Sequence, residues 1–190
     1  GCLQDAGIEA EAFYAPLSDK EKARIQDGFL TGSPRVICAT TAFGMGVDKP
    51  DVRWVLNDGP CESVESFYQE AGRAGRDGEP SRCTLLWNES DIVTRRRWLD
   101  NDYENERFTP EEQEIVRQSK RRLLDGMVGY CRTTDCLHRY MTRYFGQELS
   151  PNAGSAAGED IAADSSQSGR CGACSNCEST FETIDVTRVA

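Results

Sequence analysis

The residues with the plainest chemical potential are three cysteines in CGACSNC, where Cys171, Cys174 and Cys177 recur at two-residue spacings. That spacing lets three thiolates converge on one metal ion, and packing alone is a poor reason for three cysteines in so short a run. A tetrahedral zinc site needs a fourth ligand, for which Cys131, Cys136 and His138 are the candidates, and spacing does not choose among them. His138, the only histidine, reads otherwise as a surface or packing residue, because two-residue spacing on a helix points it away from Cys136. An iron-sulfur cluster is the competing ion, but its usual run carries another cysteine soon after the third, and none follows Cys177. Zinc is the expected metal.

A second group is the pair Arg73 and Arg76 in SVESFYQEAGRAGRDG, residues 63–78, set among glycines directly after an amphipathic stretch. A guanidinium is always charged and can grip phosphate oxygens bidentately, and glycine allows close backbone approach. The plain alternative is a solvated pair in a surface turn. A third group lies in TTAFGMGVD, where residues 40–48 offer two hydroxyls (Thr40, Thr41), two glycines (Gly44, Gly46) and a carboxylate (Asp48). GMG lacks the third glycine of a dinucleotide fingerprint, so by itself this reads as an ordinary loop. Arg95, Arg96 and Arg97 read as a solvated helix face near Trp98.

These groups must be held by an ordered frame. Residues 8–14 read as extended, and Ser18 followed by Glu21 has capping-box spacing for a helix through about residue 30. Residues 35–39 contain the apolar run VICA, expected as a strand buried on both faces, and residues 52–57 form a second strand after the glycine-rich loop. A helix over 63 to about 71, a strand over 83–87 and a helix from 90 to about 99 complete an α/β pattern with a parallel sheet. In such sheets ligands bind beyond the carboxyl ends of the strands, where both loops should lie. Cys38 and Cys83, inside strand-like runs, are expected in the core.

After a polar break at 101–109 the pattern becomes helical only. Pro110 suits a first helical position, and the helix to about residue 127 offers Ile115, Val116, Leu123 and Leu124 for packing. A second helix over about 135–145 places Leu137, Tyr140, Met141, Tyr144 and Phe145 at spacings of three and four, so a helical hairpin is expected. Residues 148–169 are rich in Ser, Ala, Gly and Asp and are expected to form a mobile loop.

The 190 residues suffice for one ordinary domain and a smaller appendage. A net charge of −10 argues against a protein whose whole surface wraps nucleic acid, yet residues 117–143 carry seven basic residues against two acids, which leaves room for a DNA-facing patch. No apolar run is long enough for a membrane span and no secretory leader is visible, so a soluble intracellular protein is expected. The chain opens on Gly1, and residues 1–7 read like the tail of a helix already under way; a piece of a longer polypeptide is the expectation.

Taken in order, VICATTAFGMGVDKPDVR, SFYQEAGRAGRDG, TDCLHRYMTRYFG and CGACSNC resemble the RecQ family of ATP-dependent DNA helicases. The resemblance implies an α/β fold, a RecA-like parallel-sheet lobe with an appended helical zinc-binding subdomain: residues 1–100 as the second motor lobe, truncated at its start, and 105–185 as the helical hairpin and zinc region. It implies that Arg76 is an arginine finger for the γ-phosphate of ATP, with Arg73 beside it and Gln69 coupling nucleotide to DNA. Asp48 and Gly46 would then line the nucleotide cleft, and Thr40 would contact the DNA backbone. Cys136 would be the fourth zinc ligand, with Cys171, Cys174 and Cys177. ATP and Mg2+ would be held mainly by a first lobe of the same polypeptide, because this chain has no GxxxxGK[ST] loop and no Asp-Glu box. The fragment alone is therefore expected to be inactive.

The family's usual histidine and glycine are replaced in FYAPL by Tyr14 and Pro16, so no role is carried there, and the stretch from Cys136 to Cys171 is longer than usual. The ending DVTRVA resembles the lead into a winged-helix domain. The implied setting is the nucleoid-bearing cytoplasm in a bacterium or the nucleus in a eukaryote, in DNA repair or recombination. Two other readings stay open: a non-catalytic zinc-stabilised module binding DNA or protein, and a lobe of another superfamily 2 helicase.

Overall fold

The computed structural model describes residues 2–40, 43, 48–101, 108–147 and 170–178. The chain divides into two compact units, Gly1–Leu56 with Gln69–Thr84, and Asn57–Tyr68 with Leu85–Ala190. The expected loop at 148–169, Gly44, Gly46, Thr41 and the ending DVTRVA lie outside the described residues.

In the first unit a short α1 (Cys2–Asp5) leads to β1 (Ala10–Phe13), α2 (Asp19–Thr31) and β2 (Val36–Ala39). The two strands are parallel, with Ala10 opposite Val36 and Phe13 opposite Ala39. The capping box expected at Ser18 is present: its hydroxyl accepts from the Glu21 amide at 3.3 Å while the Glu21 carboxylate accepts from the Ser18 amide at 3.0 Å. Such reciprocal caps are worth about 1 kcal/mol. Gly32 ends the helix at φ 101°, a conformation that costs a side chain but not a glycine. Phe13 and Ile25 are buried, and Phe43 packs edge-on against Phe13 and Phe29 at 4.8 and 5.7 Å.

The strand over VICA forms, but its burial differs from expectation. Val36 and Ile37 are half-buried while Cys38 and Ala39 are exposed, because among the described residues β2 pairs with β1 alone. Cys83 is also exposed, its thiol donating to the Ala71 carbonyl at 3.2 Å. An apolar run carries no information about how many layers cover it, so neither cysteine belongs to the core.

The chain continues through β3 (Trp54–Asp58), α3 (Val64–Ala71) and β4 (Arg82–Leu86). Strands β3 and β4 pair, and the bonds from Arg82 N to Arg53 O and from Gly59 N to Leu86 O join start to start and end to end, so they run in the same direction. Among the described residues the strands thus form two parallel pairs. Helix α3 crosses the division between the units, residues 64–68 in the second and 69–71 in the first.

The second unit is mostly helical: α4 (Glu89–Asn101), α5 (Pro110–Arg132), α6 (Leu137–Tyr144) and the single turn α7 (Ser175–Glu178). Asn88 caps α4 by accepting from the Ser90 amide at 2.8 Å. A second capping box, Thr109 with Glu112, starts α5, and Pro110 occupies its first turn. Ile92, Leu124 and Val128 form a buried cluster with Trp87 and Leu99 packed against it, each large apolar side chain worth about 1.5–3 kcal/mol on burial. Leu124 was expected there; Ile115 and Leu123 instead face solvent, 67% and 36% exposed. The packing stripe runs instead through Leu124, Met127, Val128 and Tyr130.

Helix α5 also runs five residues beyond the expected end near 127. Its late glycines, costly to a helix by propensity, serve contact instead. A Cβ on Gly126 would stand 2.8 Å from Tyr144 Cε2, and one on Gly129 would stand 2.3 Å from the Tyr140 hydroxyl. The hairpin of α5 and α6 closes on these gaps, and Tyr140 donates to the Gly126 carbonyl at 2.9 Å. No helix among the described residues is long and apolar enough to cross a membrane.

Candidate phosphate-facing turn and metal centre

Helix α3 delivers the arginine turn. Gln69 is exposed on its last turn, Arg73 is half-buried just past its end, and Arg76 follows in an exposed turn. That turn is laced to the segment leading into β3. Gly75 N donates to Val52 O at 2.9 Å, Asp77 N to Pro50 O at 3.3 Å, and the Arg53 guanidinium pairs with the Asp77 carboxylate. The hydrogen bond from the Arg53 guanidinium, the largest of several causes, holds the Asp77 carboxyl below the ordinary range. Gly75 sits at φ +65°, and a Cβ there would meet Ser81 Oγ at 2.5 Å, so glycine is required twice over.

The consequence is that Arg76 meets Asp48, 28 positions upstream, at 2.6 Å, while its Nε donates to Gly72 O at 3.3 Å. Two candidate residues from separate loops thus come together. The pair is open to water, with the Arg76 side chain 39% and Asp48 80% exposed. Such pairs contribute about 0–1 kcal/mol, so the guanidinium can be redirected to a stronger anion at little cost. Thr40 stands at the carboxyl end of β2, its amide donating to Phe13 O at 3.1 Å and its side chain exposed, and it takes no part in the Arg76–Asp48 pair. Gly46 lies outside the described residues. Sequence reasoning missed Arg53 and Asp77; their signal was a lone basic residue after DKPDV and an acid inside GRDG, which only a folded turn brings together.

In the second unit the sulfurs of Cys136, Cys171, Cys174 and Cys177 all lie within 4.8 Å of one another. Cys136 and Cys174 are buried and Cys171 is exposed. A tetrahedron with arms of about 2.3 Å has edges of about 3.8 Å, and Cys171 and Cys177 stand 3.8 Å apart, so the set fits a four-thiolate ion site. Among the three candidates left open by spacing, Cys136 is the one in the cluster; Cys131 and His138 are not. Cys136 is the residue before α6 and makes no capping bond, which leaves its sulfur free to face the knuckle.

Backbone amides already point at the sulfurs: Ala173 N donates to Cys171 Sγ and Cys171 N to Cys177 Sγ, each at 3.4 Å. Burial opposes charge on Cys174, but the Leu137 amide and the neighbouring thiols outweigh it and bring that thiol down to about 7. Burial, chiefly, pushes Cys171 up to about 12. A brace not anticipated from sequence completes the centre. Asn176 Nδ2 donates to the carbonyls of Thr133 and Asp135, each at 2.8 Å, and so ties the knuckle to the turn that carries Cys136.

The basic stretch at 117–143 is partly neutralised. Arg117 pairs with Glu114 at 2.8 Å, Arg121 with Asp100 at 2.6 Å and Arg132 with Glu89 at 2.5 Å.

Comparison with known proteins matches two successive stretches of the chain. The family model for the helicase conserved C-terminal domain matches residues 2–78, and the model for RecQ zinc-binding matches residues 89–178. An ATP-dependent DNA helicase RecQ of Bacillus subtilis is 38% identical over 183 residues, covering 96% of this chain and 26% of that protein. The RecQ-like DNA helicase BLM of Xenopus laevis is 39% identical over 153 residues, 79% of this chain and 11% of its own length. The ATP-dependent helicase SGS1 of Saccharomyces cerevisiae is 34% identical over 151 residues, 77% of this chain and 10% of its own. The chain therefore spans about a quarter or less of these relatives. An α/β helicase lobe followed by a helical region with a four-cysteine centre is the class of protein that emerges. In both parts the chain resembles the RecQ family.

Proposed function

We propose that the chain is the second motor lobe and zinc-binding region of an ATP-dependent DNA helicase, with residues 1–100 forming the lobe and 105–185 the helical zinc-binding region. Arg76 is its arginine finger: the guanidinium approaches the γ-phosphate of ATP held by the first lobe of the same polypeptide and stabilises charge developing there during attack by water. Arg73 supports it, Gln69 links the turn to DNA, Asp48 and Gly46 line the cleft, and Thr40 touches the backbone of single-stranded DNA. The observation that carries the reading is the meeting of Arg76 with Asp48 in an exposed, weak ion pair. Asp48 parks the guanidinium, and a triphosphate, a stronger anion, takes it over.

Cys136, Cys171, Cys174 and Cys177 would hold zinc, whose contribution is a structural cross-link between the knuckle and the start of α6. DNA repair or recombination is the setting in which such a motor serves.

The test is Arg76→Ala in the full-length parent, following DNA-stimulated ATP hydrolysis beside nucleotide affinity. Turnover should fall by about two orders of magnitude or more with affinity little changed. Turnover within a few-fold of the parent's would end the assignment.

A further inference from the structure

Arg76 is carried by a four-residue turn. Gly75 to Gly78 closes on a bond from Gly78 N to Gly75 O at 3.0 Å, with Arg76 and Asp77 at the two central positions. Whatever fixes Asp77 therefore fixes the backbone from which the Arg76 side chain departs. Asp77 is held three times. Its amide donates to Pro50 O at 3.3 Å, one carboxylate oxygen accepts from the Glu79 amide at 3.1 Å, and the other accepts from the Arg53 guanidinium.

Arg53 spans more than that one pair. Its Nε donates to Asp51 O at 3.1 Å, its Nη1 to Pro80 O at 3.3 Å and its Nη2 to Pro50 O at 3.4 Å. One planar group thus ties the segment before β3 to the turn and to the approach to β4, and all of these residues belong to the first unit. A guanidinium suits the task because its donors form a rigid fork, whereas a lysine ammonium is a point charge on a flexible stem and cannot serve these acceptors together.

The same segment holds Arg76 in two ways. Asp48 takes the guanidinium through an exposed pair, while Pro50, Val52 and Arg53 take the backbone of the turn. When a phosphate draws the guanidinium off Asp48, only the second hold remains to aim it. Aim matters, because a misplacement of about 1 Å can cost about a hundredfold in rate.

We propose that Arg53 and Asp77 are positioning residues for Arg76: their bond fixes the turn from which the guanidinium reaches the phosphate. This role rests on the arginine-finger reading of Arg76.

The experiment uses the full-length parent. Arg53→Lys keeps the charge and loses the fork, so kcat for DNA-stimulated ATP hydrolysis should fall about tenfold or more, with KM for ATP within about twofold. Asp77→Asn keeps an acceptor for the Glu79 amide and removes the charge facing Arg53, and kcat should fall roughly three- to tenfold. Arg24→Lys is the control. It disrupts a two-bond pair with Glu11, at 3.0 and 2.5 Å between α2 and β1 of the same unit, and should leave kcat unchanged. In an Arg76→Ala background Asp77→Asn should change the residual turnover by less than about twofold, because there is no guanidinium left to aim. Parental kcat in Arg53→Lys, a loss confined to KM, an equal loss from Asp77→Asn in both backgrounds, or an equal loss in Arg24→Lys overturns the positioning role. Parental kcat in Arg53→Lys beside a crippled Arg76→Ala removes that role alone. If Arg76→Ala itself turns over like the parent, the arginine-finger reading fails, and the positioning role falls with it.

Discussion

Replacing Gly129 by alanine should destabilise the helical unit, although the same change at an ordinary helix position does the opposite. On propensity alone Gly→Ala in a helix gains about 1 kcal/mol. Here the new Cβ would stand 2.3 Å from the Tyr140 hydroxyl, well inside contact distance. That hydroxyl cannot simply swing aside, because it donates to the Gly126 carbonyl at 2.9 Å and its ring is set against Tyr130. Overpacking costs about 1–3 kcal/mol and the displaced hydrogen bond about 1 kcal/mol, so after the propensity gain the net loss is about 1–3 kcal/mol. Thermal unfolding of the zinc-loaded chain should show it as a melting temperature lower by roughly 2 °C or more. Ser119→Ala, at an exposed position of the same helix, is the control and should raise stability by a few tenths of a kcal/mol, roughly. A Gly129→Ala protein that melts at or above the parent would refute the close-packing role assigned to the glycine.

Three further outcomes follow from the same geometry. Asn176→Ala frees the knuckle from the carbonyls of Thr133 and Asp135 and should weaken zinc binding by about tenfold or more in chelator competition, with stoichiometry kept. Cys136→Ser should bind zinc far more weakly than the parent, whereas Cys131→Ser, outside the cluster, should bind one ion per chain with parental affinity; the reverse order would dissolve the assigned ligand set. Burial acts to raise the Glu65 carboxyl, but bonds from its own amide, Ser63 and Tyr144 outweigh it and hold the pKa below 4.5. A lowered carboxyl pKa adds stability that is present above the unfolded value and lost as pH falls through the folded one. The melting-temperature gap between the parent and Glu65→Gln should therefore be constant above about pH 5 and close below about pH 4; zinc release, common to both proteins, cancels in the difference.

Local chemistry was legible in the chain and long-range chemistry was not. The capping box at Ser18, the proline start of α5 and the thiol spacing at 171–177 could be read because each is decided within a few residues. The exposure of Cys38 and Cys83 could not, since composition says nothing about how many layers cover a strand. Ile115 and Leu123 misled for a related reason: either side of an amphipathic helix can carry an apolar residue, and the partner surface selects the stripe. Gly126 and Gly129 are costly to a helix by propensity, while their use lies in room for rings contributed by another helix. The Arg76–Asp48 pair depends on a turn folding back against the start of β3, and the Asn176 brace on a knuckle meeting the turn between α5 and α6. Neither has a signature in spacing.

The central claim is that Arg76 serves the transition state of phosphoryl transfer rather than the bound nucleotide. Its most direct test compares affinity for ADP with affinity for ADP plus aluminium fluoride, in the full-length parent with single-stranded DNA and Mg2+. The parent should bind the fluoride complex about a hundredfold or more tighter than ADP, and Arg76→Ala should lose most of that difference while binding ADP normally. An Arg76→Ala protein that keeps the full preference for the fluoride complex would contradict the claim.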